Sequence, residues 1–161
     1  MLSYIMAVAS GLLLLAADQF TKYIVMQNMA LHDTAKFLPG FMNFLYIHNE
    51  GGAWGFLEGH TWILLVVTII IMIICVIMVI KIDKNSKLLF WAVCLILSGG
   101  FGNMIDRVFR NGKVIDFLNF LFIDFPVFNV ADCGVVIGAG LLILYFILDM
   151  IREKNEKKEE V

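Results

Sequence analysis

The chain has 161 residues, of which 61% are hydrophobic and 16% charged, with a formal net charge of -2 and a mean hydropathy of +0.88. A soluble domain of this length cannot hide that much apolar surface, so the composition excludes an ordinary globular protein and indicates an integral membrane protein. No basic patch is present to follow a phosphate backbone, which argues against nucleic-acid binding.

A helix needs about 20 apolar residues to cross a bilayer. The runs that meet this length predict four transmembrane helices at about 4–26, 62–80, 88–105 and 130–151. The first run resembles a secretory signal peptide in position. It lacks a basic leading segment, however, and stays apolar past Asp18 and Lys22 to Met26, so a retained span is the better reading. A tight polar turn at 81–87 joins the second and third spans, and loops of about 35 and 25 residues join the other pairs. Lys81, Lys84, Lys87, Arg152, Lys154, Lys157 and Lys158 fall on one side, against Lys36, Arg107, Arg110 and Lys113 on the other. The excess of positive charge marks the cytoplasmic side, so both termini are expected inside and both long loops outside. The tail 152–161 mixes charges and reads as a solvated helix end or disorder.

In the first outer loop, Pro39-Gly40 marks a turn and 41–47 suits a strand. Asn49-Glu50-Gly51-Gly52 is a further turn signal, after which 53–57 is expected to return as a second strand. Two readings stand level here: a small sheet on the outer membrane face, or an aromatic-rich interfacial loop. The fold class is thus an all-α membrane protein, in one domain, with a small β-sheet cradle as the open addition.

The polar residues beside these spans carry the chemistry, because ionisable groups at a membrane boundary are costly and usually face a cavity or a partner. Asp18 and Lys22 are four apart on one helical face, a spacing that suits an ion pair, whether it fixes the bundle or supports a site. Gly99, Asn103 and Arg107 recur every four residues near the outer end of the third span, with Asp106 beside the same stripe. Small residues there allow close helix approach, and Arg107 can grip a carbonyl or carboxylate, in a structural clasp or a site. Asp116 lies in an apolar context, Val114-Ile115-Asp116-Phe117-Leu118, and Asp132 begins the fourth span one turn after Asn129. Asp132 alone can be a helix cap. Two carboxyl groups that meet can instead share one proton and activate water. Asp124, beside Pro126, reads as a loop carboxylate.

Other chemistries find less support. His32, His48 and His60 lack close metal-ligand spacing, the few serines have no partner histidine in the outer layer, and Gly99-Gly100-Phe101-Gly102 suits helix packing better than phosphate binding. Cys75, Cys94 and Cys133 sit in or beside apolar runs and read as packing residues rather than disulfide partners. No cofactor or metal is expected. The paired carboxyls suit an aspartic peptidase; a small transport or channel subunit, or a non-catalytic scaffold, are the competing classes, and charges collected on the expected outer side favour the peptidase over a relay spread through the bilayer.

Five segments in order carry a resemblance: Asp18-Gln19-Phe20-Thr21-Lys22, Asn49-Glu50-Gly51-Gly52-Ala53-Trp54-Gly55, Gly99 to Arg107, Val114-Ile115-Asp116-Phe117 and Phe128-Asn129-Val130-Ala131-Asp132. Together they resemble the lipoprotein signal peptidase family, also called signal peptidase II, over nearly the whole chain. The resemblance implies an aspartic endopeptidase of the bacterial cytoplasmic membrane with its active site near the extracytoplasmic face. Such enzymes cut prolipoproteins just before a diacylglyceryl-modified cysteine, and cyclic peptides such as globomycin occupy their pocket. It maps the catalytic pair onto Asp116 and Asp132, and supporting residues onto Asp18, Lys22, Asn49, Gly51, Asn103, Asp106, Arg107 and Asn129. It also implies a sheet cradle on the membrane surface. Gly52 and Cys133 depart from the family pattern, where alanine and serine or threonine are common. Both are small replacements that bear on local packing. A monomer suffices for this site, although the face around Gly134 and Gly138 would allow a dimer.

Overall fold

Four long apolar helices dominate the computed structural model, which describes residues 1–81 and 85–159. They are α1 (Leu2–Asn28), α2 (Thr61–Lys81), α3 (Lys87–Phe109) and α4 (Val130–Glu159). Each is long and apolar enough to cross a membrane. In lipid every backbone group must be satisfied within its own segment, which is why these runs are helical. Their outward faces carry exposed isoleucine, valine, leucine and phenylalanine, as expected for surfaces solvated by hydrocarbon.

α3 is the hub. It packs along α4 and α1, and α2 docks chiefly against it. On α2 only Met72, Cys75 and Met78 are buried, a seam narrow enough to leave the rest of that helix to lipid. Ser86 caps α3, its hydroxyl accepting from the Leu89 amide at 3.2 Å. Close approach of α3 to both α4 and α1 depends on glycine. A side chain at Gly99 would collide with the Ala131 carbonyl oxygen, and a Cβ at Gly102 would lie 2.7 Å from Asp18 Oδ2. The first apolar cluster, Cys75, Met78, Leu89, Val93, Ile96 and Tyr145, fills the end of the bundle that holds the 81–87 turn.

A three-stranded antiparallel sheet covers the other end, in the order β1 (Thr34–Leu38), β2 (Met42–Asn49), β3 (Val114–Phe120). Its underside packs Tyr46, Ile115 and Phe117 against Val25 of α1. The sheet therefore exists, but it is shared between both long loops rather than confined to the first. The return strand expected at 53–57 does not form. Ala53–Gly55 is a short 3-10 turn, and Trp54, Gly55 and Leu57 all take positive φ, which no strand tolerates. β2 pairs instead with β1 across the Pro39-Gly40 turn and with β3.

The helices also run past the expected spans. α3 continues beyond residue 105 to Phe109, because Asp106, Arg107 and Arg110 are paired or buried rather than looped into water. α4 runs to Glu159, so the tail is a solvated helix end, held in part by Arg152 and Glu156 at 2.8 Å. Lys84 of the polar turn lies outside the described residues, as do the last two residues of the tail.

Candidate active site

Between the apolar cluster and the sheet lies a layer of buried polar groups: Asp18, Lys22, Asp106, Asp116 and Asn129 are each at most 2% exposed. Such groups are tolerated only when their hydrogen bonds are met. Lys22 Nζ reaches Asp18 Oδ2 and Asp106 Oδ2, each at 2.9 Å, and donates to Asn103 Oδ1 at 3.1 Å. Arg110 pairs with the remaining oxygen of Asp106. The Gln19 amide donates to Asp18, Asp106 and the Gly102 carbonyl. The expected pairing of Asp18 with Lys22 is present, as one edge of a larger network.

This network grips the backbone beside each candidate acid. Asp106 Oδ2 accepts the Ile115 amide at 3.1 Å, one residue before Asp116. Asp18 Oδ1 accepts the Ala131 amide at 2.9 Å, one residue before Asp132. Asp132 itself sits in the first turn of α4, in a reciprocal cap: its amide donates to Asn129 Oδ1 at 3.0 Å, and its carboxylate accepts the Asn129 amide at 3.1 Å. The helix-cap reading of Asp132 thus holds, and it orients the free side of the carboxylate rather than using it up. Asn103 Nδ2 donates to that carboxylate at 2.7 Å.

Asp116 comes from β3. Phe128 pairs with Leu118 as an antiparallel bridge, which lays Asn129 beside Asp116. Asn129 Nδ2 donates to Asp116 Oδ1 at 2.6 Å and to Asn103 Oδ1 at 3.0 Å. Asn49 Nδ2 donates to Asp116 Oδ2 at 2.8 Å, while its own oxygen accepts the Gly51 amide at 2.8 Å. The Gly51 carbonyl in turn accepts from Arg107 Nη2 at 3.0 Å. Burial, and then the charge of Asp132, push the Asp116 carboxyl up to about 6, against the pull of Asn49, Asn129 and Lys22.

All ten residues singled out in the sequence therefore lie in one connected layer. Asp116, Asp132, Asn49, Asn103 and Arg107 line a cavity of about 490 Å³, whose opposite wall is apolar: Phe120, Phe125, Phe128, Val136 and Ile137. Trp54 packs edge-on against Phe125, with ring centroids 5.8 Å apart. Cys133 is on the same wall, a free thiol beside Asp132. Asp124 is exposed and does not line the cavity. Two participants went unassigned in the sequence, Gln19 and Arg110. The spacing of four between Asp106 and Arg110 was the available signal for the second. Among the described residues no group of three metal-ligating side chains converges.

The architecture defines a polytopic membrane protein whose polar cavity, at one end of the bundle, is built round carboxylates and amides. Known proteins place it more narrowly. A family model described as signal peptidase (SPase) II matches residues 10–148. Lipoprotein signal peptidase from Enterococcus faecalis is 39% identical over 145 residues, covering 90% of this chain and 89% of that protein. Lipoprotein signal peptidase from Listeria monocytogenes is 36% identical over 148 residues, covering 91% and 96%. A solved bacterial membrane enzyme, determined by the in meso method at 2.3 Å resolution, superimposes with a TM-score of 0.83 at 35% identity, over 90% of this chain and 89% of that one. The chain belongs to the signal peptidase II family. It is accordingly a peptidase and a bacterial membrane protein, and the transporter and scaffold classes fall away.

Proposed function

We propose that the protein is an aspartic endopeptidase that removes the signal peptide from diacylglyceryl-modified prolipoproteins, cutting just before the lipid-modified cysteine. One observation supports this most strongly: Asp116 and Asp132 line the same cavity, and Asn129 bonds to both. Two carboxyls so placed do not both ionise cheaply and titrate as a pair. The ionised member takes a proton from water, the water attacks the scissile carbonyl, and the protonated member donates to the carbonyl oxygen. No covalent intermediate or metal is required.

The charge of the layer favours a singly protonated pair. Asp18, Asp106, Asp116 and Asp132 face three cations, Lys22, Arg107 and Arg110. One proton on Asp116 or Asp132 makes the set neutral, which is the cheapest state for buried charges. Arg107 Nε is buried without a hydrogen-bond partner among the described residues, and with Asn103 it is placed to hold substrate backbone. Val136 and Ile137 belong both to the cavity wall and to the exposed face of α4. That continuity suits a substrate whose acyl chains stay in lipid while its scissile bond meets water.

The lysine and arginine distribution supports a site at the extracytoplasmic face with both termini cytoplasmic. All of its residues come from one chain, so a monomer suffices, and the same cavity is the expected seat of cyclic peptides such as globomycin. The test is cleavage of a lipidated precursor by purified Asp116→Asn and Asp132→Asn variants. Each is expected to lose at least about 100-fold in rate, the least that removing an acid–base group costs. Full activity of either variant at normal membrane abundance would remove that residue from the chemistry.

A further inference from the structure

We infer that Arg110 is a positioning residue for the Asp116–Asp132 pair: by closing the charge of Asp106 it holds the strand ahead of Asp116 and sets the electrostatic balance under both acids. The inference rests on the function proposed above. Arg110 follows α3 at its outer end, its side chain 25% exposed, and pairs with Asp106 Oδ1. The other oxygen of Asp106 accepts both Lys22 Nζ and the Ile115 amide. Asp106 is thus the link between one surface cation and the backbone next to Asp116. Without Arg110, Asp18 and Asp106 share Lys22 as their one cation, with Gln19 as a neutral donor, and the buried set gains a net negative charge. Lys22 is then drawn toward Asp106 and away from Asn103, whose other end holds Asp132.

The charged and titratable groups facing this layer are Asp18 and Lys22 from α1, Tyr46 and His48 from β2, Arg107 from α3 and Cys133 from α4. His48 is the imidazole among these groups; burial holds its pKa below the usual histidine value, and its ring nitrogen meets the Tyr46 hydroxyl at 2.7 Å. A lost cation raises the proton affinity of nearby carboxylates. Both limbs of the pH–rate profile for precursor cleavage therefore move to higher pH when Arg110 is removed.

The experiment compares wild type, Arg110→Gln, Arg110→Lys and the double variant Arg110→Gln/Asp106→Asn, all repeated in a His48→Gln background. Arg110→Gln is expected to shift the acid limb upward by about half a pH unit or more. Arg110→Lys restores it, and the double variant returns it toward the wild-type position by removing the orphaned charge. An unmoved profile, with or without loss of rate, overturns the inference, as does a shift that vanishes in the His48→Gln background. Asp116→Asn and Asp132→Asn are assayed in parallel. If they are inactive while the Arg110→Gln profile stays put, only the role of Arg110 falls; if they are active, the function proposed above falls first.

Discussion

Asn129 shows how few side chains hold the site together. Its side-chain oxygen accepts the Asp132 amide, its backbone amide donates to the Asp132 carboxylate, and its Nδ2 donates to Asp116 and Asn103. Asp116 has the opposite character, being held at a thermodynamic disadvantage when ionised. Its carboxyl rises from 3.8 to about 6 on burial, so between those values the folded protein binds more protons than the unfolded chain. Its contribution to stability is then full below pH 4 and is lost as pH rises through 6. At most this amounts to about 3 kcal/mol, from about 1.36 kcal/mol per pKa unit. Thermal unfolding in detergent at stepped pH should show Tm falling between pH 4 and 6, with a shallower fall in Asp116→Asn. Equal slopes would mean that Asp116 is not the strained group. The two candidate acids stand out in the sequence because each lies beside an apolar run. Arg110 and Gln19 do not, since their work is to meet Asp106, and nothing in a linear chain tells which carboxylate lacks a partner.

The elements were read unevenly, for reasons that can be named. The four helices were plain from length and apolarity. Their ends were not: α3 was cut at residue 105 because Asp106 and Arg107 look like loop residues until their partners are known. β1 is exposed along its whole length and β3 is buried on both faces over its first four residues. Neither shows the alternation by which a half-buried strand is recognised. Only β2 was found, and its partner was misassigned. The glycine seam between α3 and α4 makes a separate prediction. Gly102→Val should cost about 1–3 kcal/mol through overpacking against Asp18 and Ala131. Gly140→Ala, with nothing within 4 Å, should leave Tm unchanged. Comparable Tm values for the two would show that α3 and α4 do not depend on close contact there.

At the scale of the whole molecule, the expected sidedness awaits direct labelling. In a background with Cys75, Cys94 and Cys133 replaced by alanine, a membrane-impermeant maleimide added to intact cells should modify Glu58→Cys. It should modify Glu153→Cys only after lysis. The reverse pattern would invert the topology and place the cavity on the wrong side for an exported substrate. The composition and charge pattern were enough to frame this question, whereas the meeting of both outer loops in one sheet was visible only in three dimensions.

The two amides that precede the candidate acids are each tethered to a different helix, Ile115 to Asp106 of α3 and Ala131 to Asp18 of α1. Neither acid owes its position to its own segment alone. During insertion, a nascent chain with only some helices in place would hold the ingredients of a protease without its geometry. The geometry of the pair would arrive only once both α1 and α3 are in place.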